Sequence, residues 1–100
     1  MAILHIVNKS PFDRNSLDTC LRLARDGSGL LLIEDGVYAL RANTDAAASL
    51  AASKLTIYAL EPDMQARGLG DAELVENVER VDYDGFVRLA TEYDKLQSWL

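Results

Sequence analysis

Cys20 lies in the middle of SLDTCLRLARDG and is the one cysteine in a chain of 100 residues. A thiol in that position could attack sulfane sulfur, but the attacking species is the thiolate, which forms next to cations or at a helix N-terminus. Asn15 or Ser16 is the expected N-cap of this segment. Cys20 therefore sits four or five residues in, at the edge of the helix dipole's reach. Its helical neighbours Ser16, Leu17, Leu23 and Ala24 carry no cation, and Arg22 and Arg25 project elsewhere on the wheel. Free cysteine is also among the most buried residue types. Two readings stand: a small hydrophobe between helix and sheet, or a thiolate activated by a partner's surface.

The other chemistry-bearing residues are sparse. His5, the single histidine, lies in the apolar run ILHIVN, where a structural role is expected. One cysteine and one histidine make neither an internal disulfide nor a Cys/His metal cluster, and no Ser-His-Asp triad is expected. Glu34, Asp35, Glu61, Asp63, Asp82 and Asp84 fall at the expected strand ends. Asp35 and Asp82 are conceivable as an acid–base pair, but Asp-Gly after a strand is first a turn signal. Nothing fixes the spacing these acids would need as metal ligands. GxGxxG and the P-loop are both absent, and acids at that edge discourage phosphate. No cofactor and no metal is expected.

The elements that must hold these residues alternate. Ile3 to Asn8 is short and rich in Ile and Val, reading as a strand. A helix from Asn15 or Ser16 follows, with a stripe of Leu17, Leu21 and Ala24 and a C-cap at Gly27. The apolar run in Leu30 to Gly36 reads as a strand covered on both faces. Thr44 or Asp45 caps an Ala-rich helix to about Ala52. Leu55 to Leu60 is a third strand. Glu61-Pro62 opens a short helix that stops at Gly68. VERVD holds a fourth strand, and YDGFVRLATEYDKLQSWL reads as a final helix with Phe86, Leu89, Ala90 and Tyr93 on its apolar stripe. Trp99 either packs on this domain's own core or lies in a subunit interface. The order β-α-β-α-β-α-β-α implies an α/β fold: one domain over residues 1–100, a parallel sheet with helices on both faces.

The net charge of -6 disfavours direct contact with nucleic acid. No run of eighteen apolar residues marks a membrane span, and MAILHIVNKS does not read as a secretory leader. The expected compartment is the cytoplasm.

HIVNKSPF, LLLIEDGVYAL, IYALEPDMQARGL and VDYDGFVRL occur in that order and span nearly the whole chain. Together they resemble the TusB/DsrH family of small sulfur-relay proteins. The resemblance implies a small flavodoxin-like α/β fold of the DsrE/TusBCD kind. It implies a heterohexamer with two copies each of this chain, a DsrF/TusC-like subunit and a DsrE/TusD-like subunit. That complex would relay persulfide sulfur to an acceptor of the DsrC/TusE type. One branch feeds thiolation of the tRNA wobble uridine and the other the oxidation of stored sulfur. In the family the principal sulfur-accepting cysteine belongs to the DsrE/TusD-type subunit. A cysteine in the first helix is a DsrH trait, so Cys20 makes the chain closer to DsrH. The resemblance thus implies either an accessory persulfide carrier at Cys20 or a structural subunit in which Cys20 is inert.

Overall fold

The computed structural model describes residues 2–69 and 74–99. Five strands form one sheet: β1 (Ile3–Val7), β2 (Gly29–Leu32), β3 (Thr56–Leu60), β4 (Val78–Val81) and β5 (Lys95–Trp99). Their order is β4-β3-β2-β1-β5, and every neighbouring pair is parallel. Four helices join them: α1 (Ser16–Leu23), α2 (Asp45–Ala52), α3 (Glu61–Ala66) and α4 (Tyr83–Glu92). A 3-10 helix, Glu34–Leu40, links β2 to α2. The α/β parallel sheet with helices on both faces is the architecture expected from the sequence.

The two faces are unequally covered. The first three crossovers step one strand at a time in one direction, which places α1, α2 and α3 together on one face. Leu17 and Cys20 of α1, Leu50 of α2 and Met64 of α3 pack there with Val7, Leu30, Leu32, Ile57 and Ala59 of the strands. The last crossover runs back over the whole sheet, so among the described elements α4 alone covers the other face. Leu89 and Phe86 meet Leu4, Ile6, Leu31, Tyr58, Leu60 and Val81 there. Alternation along each strand sorts the side chains: Leu30 and Leu32 of β2 face three helices and Leu31 faces one. All three are fully buried.

Local chemistry sets the element ends. Thr44 Oγ1 accepts the N–H of Ala47 and caps α2, as expected. After α3, the N–H of Leu69 reaches Met64 O and that of Gly68 reaches Gln65 O, with Gly68 at φ 71°. That is a Schellman ending, which a glycine in the left-handed region permits. Asp82 Oδ1 accepts the N–H of Gly85 at 2.8 Å and caps α4. Asp82→Ala is expected to cost about 1 kcal/mol and lower Tm by roughly 4–8 °C, read by thermal unfolding. An unchanged Tm would remove the cap from the account.

Three expectations are corrected. α1 ends at Leu23, not at Gly27, and Leu23 points into solvent at 66 % exposure. The second strand stops at Leu32, ahead of the turn expected at Asp35-Gly36. Glu34 takes φ 49° and the chain winds into the 3-10 helix, with Gly36 set against the carbonyl of Val7. The final segment is not one helix. α4 ends at Glu92, Tyr93 is extended, and Lys95–Trp99 becomes a fifth strand on β1. Leu100, the last residue of that expected helix, lies outside the described residues.

Candidate functional site

Cys20 faces the sheet from the middle of α1 and has no exposed surface. It lies in the apolar cluster with Leu17, Leu30 and Val7. Burial pushes the thiol up to about 11, because a thiolate among apolar side chains loses its hydration without gaining a partner. The two arginines nearest in sequence, Arg22 and Arg25, are exposed. Among the described residues the fold therefore supplies Cys20 neither access nor a cation.

Four of the acids at the strand ends are engaged locally. Asp63 Oδ2 accepts the N–H of Glu34 at 2.6 Å and steadies the positive-φ turn after β2. Arg67 Nε donates to Asp35 Oδ1 at 2.9 Å, tying the end of α3 to the 3-10 helix. Glu61 Oε1 accepts from Gln65 at 2.9 Å and lies 3.5 Å from Arg80. Asp82 is the cap of α4. Asp35 and Asp82 follow β2 and β4, which are separated by β3. Those strands are two spacings apart, roughly 10 Å, and each acid is engaged with its own partner rather than with the other. Among the described residues no group of three or more His, Cys, Asp or Glu could hold a metal.

A parallel sheet binds ligands where the chain reverses its direction across the strands. That point lies between β1 and β5, beside Asn8, Lys9 and Trp99. On the β2 side the end of β1 is closed by protein: the N–H of Ile33 bonds to Val7 O at 3.1 Å, and Gly36 presses on the same carbonyl. An open groove of about 610 Å³ lies elsewhere, between α1 and α2, with Asn15, Asp18, Thr19, Arg22, Ser49 and Ser53 on its walls. Its charged groups, Asp18 and Arg22, are of opposite sign.

The sequence reading missed one polar pair. Trp99 Nε1 donates to His5 Nδ1 at 3.0 Å, joining β5 to β1 across the sheet edge. The signal was present, since a histidine in an apolar strand needs a partner, but that partner sat in the segment read as helix.

Large apolar side chains remain exposed: Phe12 67%, Leu23 66%, Val87 65%, Tyr83 60% and Leu96 48%. Four of the five residues of β5 are exposed, although strands of parallel sheets are ordinarily covered on both faces. No described helix is long and apolar enough to cross a membrane.

Comparison with known proteins adds the following. The family model for DsrH like protein matches residues 9–96. Protein TusB of Pectobacterium parmentieri is 38% identical over 97 residues, covering 97% of this chain and 100% of that protein. Protein TusB of Sodalis glossinidius is 40% identical over the same span, with the same coverage. Among solved structures, the YchN protein from E. coli superposes with a TM-score of 0.84 over 99% of each chain at 21% identity. A protein of unknown function from Methanobacterium thermoautotrophicum, MTH1491, gives 0.65 over 96% of each chain at 18% identity. These two likenesses concern the fold alone.

Proposed function

The chain belongs to the TusB/DsrH family of sulfur-relay proteins, and from that premise we propose that it is a subunit of a sulfurtransferase complex in which persulfide sulfur passes between protein thiols. The observation that carries this reading is the family match over residues 9–96. The exposed apolar side chains and the uncovered strand β5 support it, because such surfaces mark docking sites on chains that work in assemblies. The proposed partners are a DsrE/TusD-like and a DsrF/TusC-like subunit, two copies of each with two of this chain, and a DsrC/TusE-like acceptor.

The chemistry is thiol–persulfide exchange. An acceptor thiolate attacks the outer sulfur of a donor persulfide; a new S–S bond forms as the old one breaks, and the donor leaves as a thiolate. No net oxidation occurs. Of the two roles open to Cys20, its burial and raised pKa favour the structural one. An accessory persulfide at Cys20 would require α1 to lift from the sheet. The TusB name of the relatives supports the wobble-uridine branch, whereas a cysteine in the first helix supports the sulfur-oxidation branch.

The test is intact mass spectrometry of the reconstituted complex after exposure to a persulfide-loaded donor. The expected result is an added sulfur on the DsrE/TusD-like subunit, none on this chain, and unchanged transfer with Cys20→Ala. An added sulfur on this chain that disappears in Cys20→Ala would establish the carrier role instead. Failure to co-assemble with either partner would overturn the proposal itself.

A further inference from the structure

β5 is held from one side. It pairs with β1 in register from Ile3↔Lys95 to Val7↔Trp99, and its outer edge is open. Two clasps secure it. At its start, Asp94 N–H donates to Ala2 O at 3.0 Å and Ala2 N–H to Asp94 Oδ2 at 2.9 Å. At its end, Trp99 Nε1 donates to His5 Nδ1, with the two rings tilted 42° at 6.0 Å between centroids.

The second clasp has a fixed protonation requirement. An indole N–H can only donate, so the imidazole nitrogen it meets must carry a lone pair. His5 is therefore neutral, with its proton on Nε2, and that nitrogen is buried without a hydrogen-bond partner. A second proton would set N–H against N–H and place a cation at a residue 4 % exposed. Among the described residues the surroundings offer no compensation. β2, on one side, carries no charged residue. β5, on the other, carries Lys95 on the same face, exposed and of the wrong sign. α1, packed over β1 and β5, carries Asp18 and Arg22 in solvent and the buried thiol of Cys20. Burial accordingly holds the imidazole below its ordinary value of 6.5.

We propose that the His5–Trp99 hydrogen bond is an acid-released latch on β5: neutral His5 holds the end of the strand against β1, and protonated His5 lets it go. The sign follows from linkage. A depressed imidazole pKa contributes stability that is present above the free value and is lost as pH falls toward the latched value. Opening of the strand end should rise about tenfold per pH unit below about 6.5 and level off once the latched imidazole itself protonates.

The experiment uses the full chain, in which Trp99 is the sole tryptophan. Its emission and the amide exchange of Gln97 to Trp99, corrected for intrinsic rate, are followed from about pH 8 to about pH 5, above the ordinary carboxylate range. The expected result is a red shift with faster exchange at the strand end as His5 titrates, and no change in β3. His5→Gln, whose side-chain oxygen accepts the indole N–H but does not titrate, should give a flat profile. Should that variant fail to fold, nitrogen NMR of His5 in the unaltered chain decides. A lone pair on Nδ1 at neutral pH that is lost in step with the emission change supports the latch. A proton on Nδ1 at neutral pH, or emission and exchange that do not follow His5, overturns it.

Discussion

Cys20 in the folded chain is expected to react with a small alkylating reagent at least about a hundred times more slowly than in urea. The thiol is raised from an ordinary 9.0 to about 11. Two units lower the thiolate fraction at neutral pH by about a hundredfold. Burial slows the reaction further, since no part of the residue is exposed. The measurement is the rate of carbamidomethylation at about pH 7.5, native against denatured. Comparable rates would mean that α1 opens readily and that the thiol is available for sulfur chemistry. The same shift has a signature in stability. A thiol that stays neutral longer when folded contributes stability below about pH 9, and that contribution fades as pH rises toward about 11. Cys20→Ala should flatten this alkaline decline.

Gly36→Ala is expected to be among the most damaging single changes to the fold, costing about 3 kcal/mol or more. Any Cβ at Gly36 would collide with the carbonyl oxygen of Val7, with Val7 C at 3.0 Å and Asn8 Cα at 3.5 Å behind it. That carbonyl cannot easily retreat, because it already accepts the N–H of Ile33 at 3.1 Å. The end of β1 and the start of the 3-10 helix would have to separate. The loss is a large part of the 5–15 kcal/mol typical of a domain and is read as a drop in the urea midpoint. Gly27→Ala is the comparison. Gly27 sits at φ 87° with open space around its Cα, so alanine there carries the left-handed penalty alone, about 1–2 kcal/mol. Equal losses at the two positions would show that the contact with Val7 is not the cause.

Much of the fold was legible because hydrophobic runs and end signals agreed. Leu30, Leu31 and Leu32 form a short uninterrupted apolar run, the pattern of a strand covered on both faces. Thr44 and Gly68 announced helix ends by their own chemistry. β5 was illegible for a physical reason. No glycine or proline separates Glu92 from Lys95, and Phe86, Leu89, Ala90 and Tyr93 carry a helical stripe up to the break. Four exposed residues in Lys95–Trp99 leave no burial alternation to detect. What makes them a strand is pairing with β1, more than ninety residues away, and local propensity does not report such contacts. The site followed the same pattern. Cys20 stood out by type, but its burial depended on β1 and β2 beneath α1. His5 gained its partner only when Trp99 became part of the sheet.

The pairing of the first strand with the last also sets an order of events during synthesis. β1 can join β2 once residue 32 has been made, yet its other edge stays open until residue 99 follows. At the usual 5–20 residues per second that interval lasts roughly 3 to 13 seconds. For that time Ile3 to Val7 offers an unpaired, apolar edge of the sort that invites wrong strands. The strand made first is completed last, and the nascent chain is most vulnerable at a strand that the finished molecule buries.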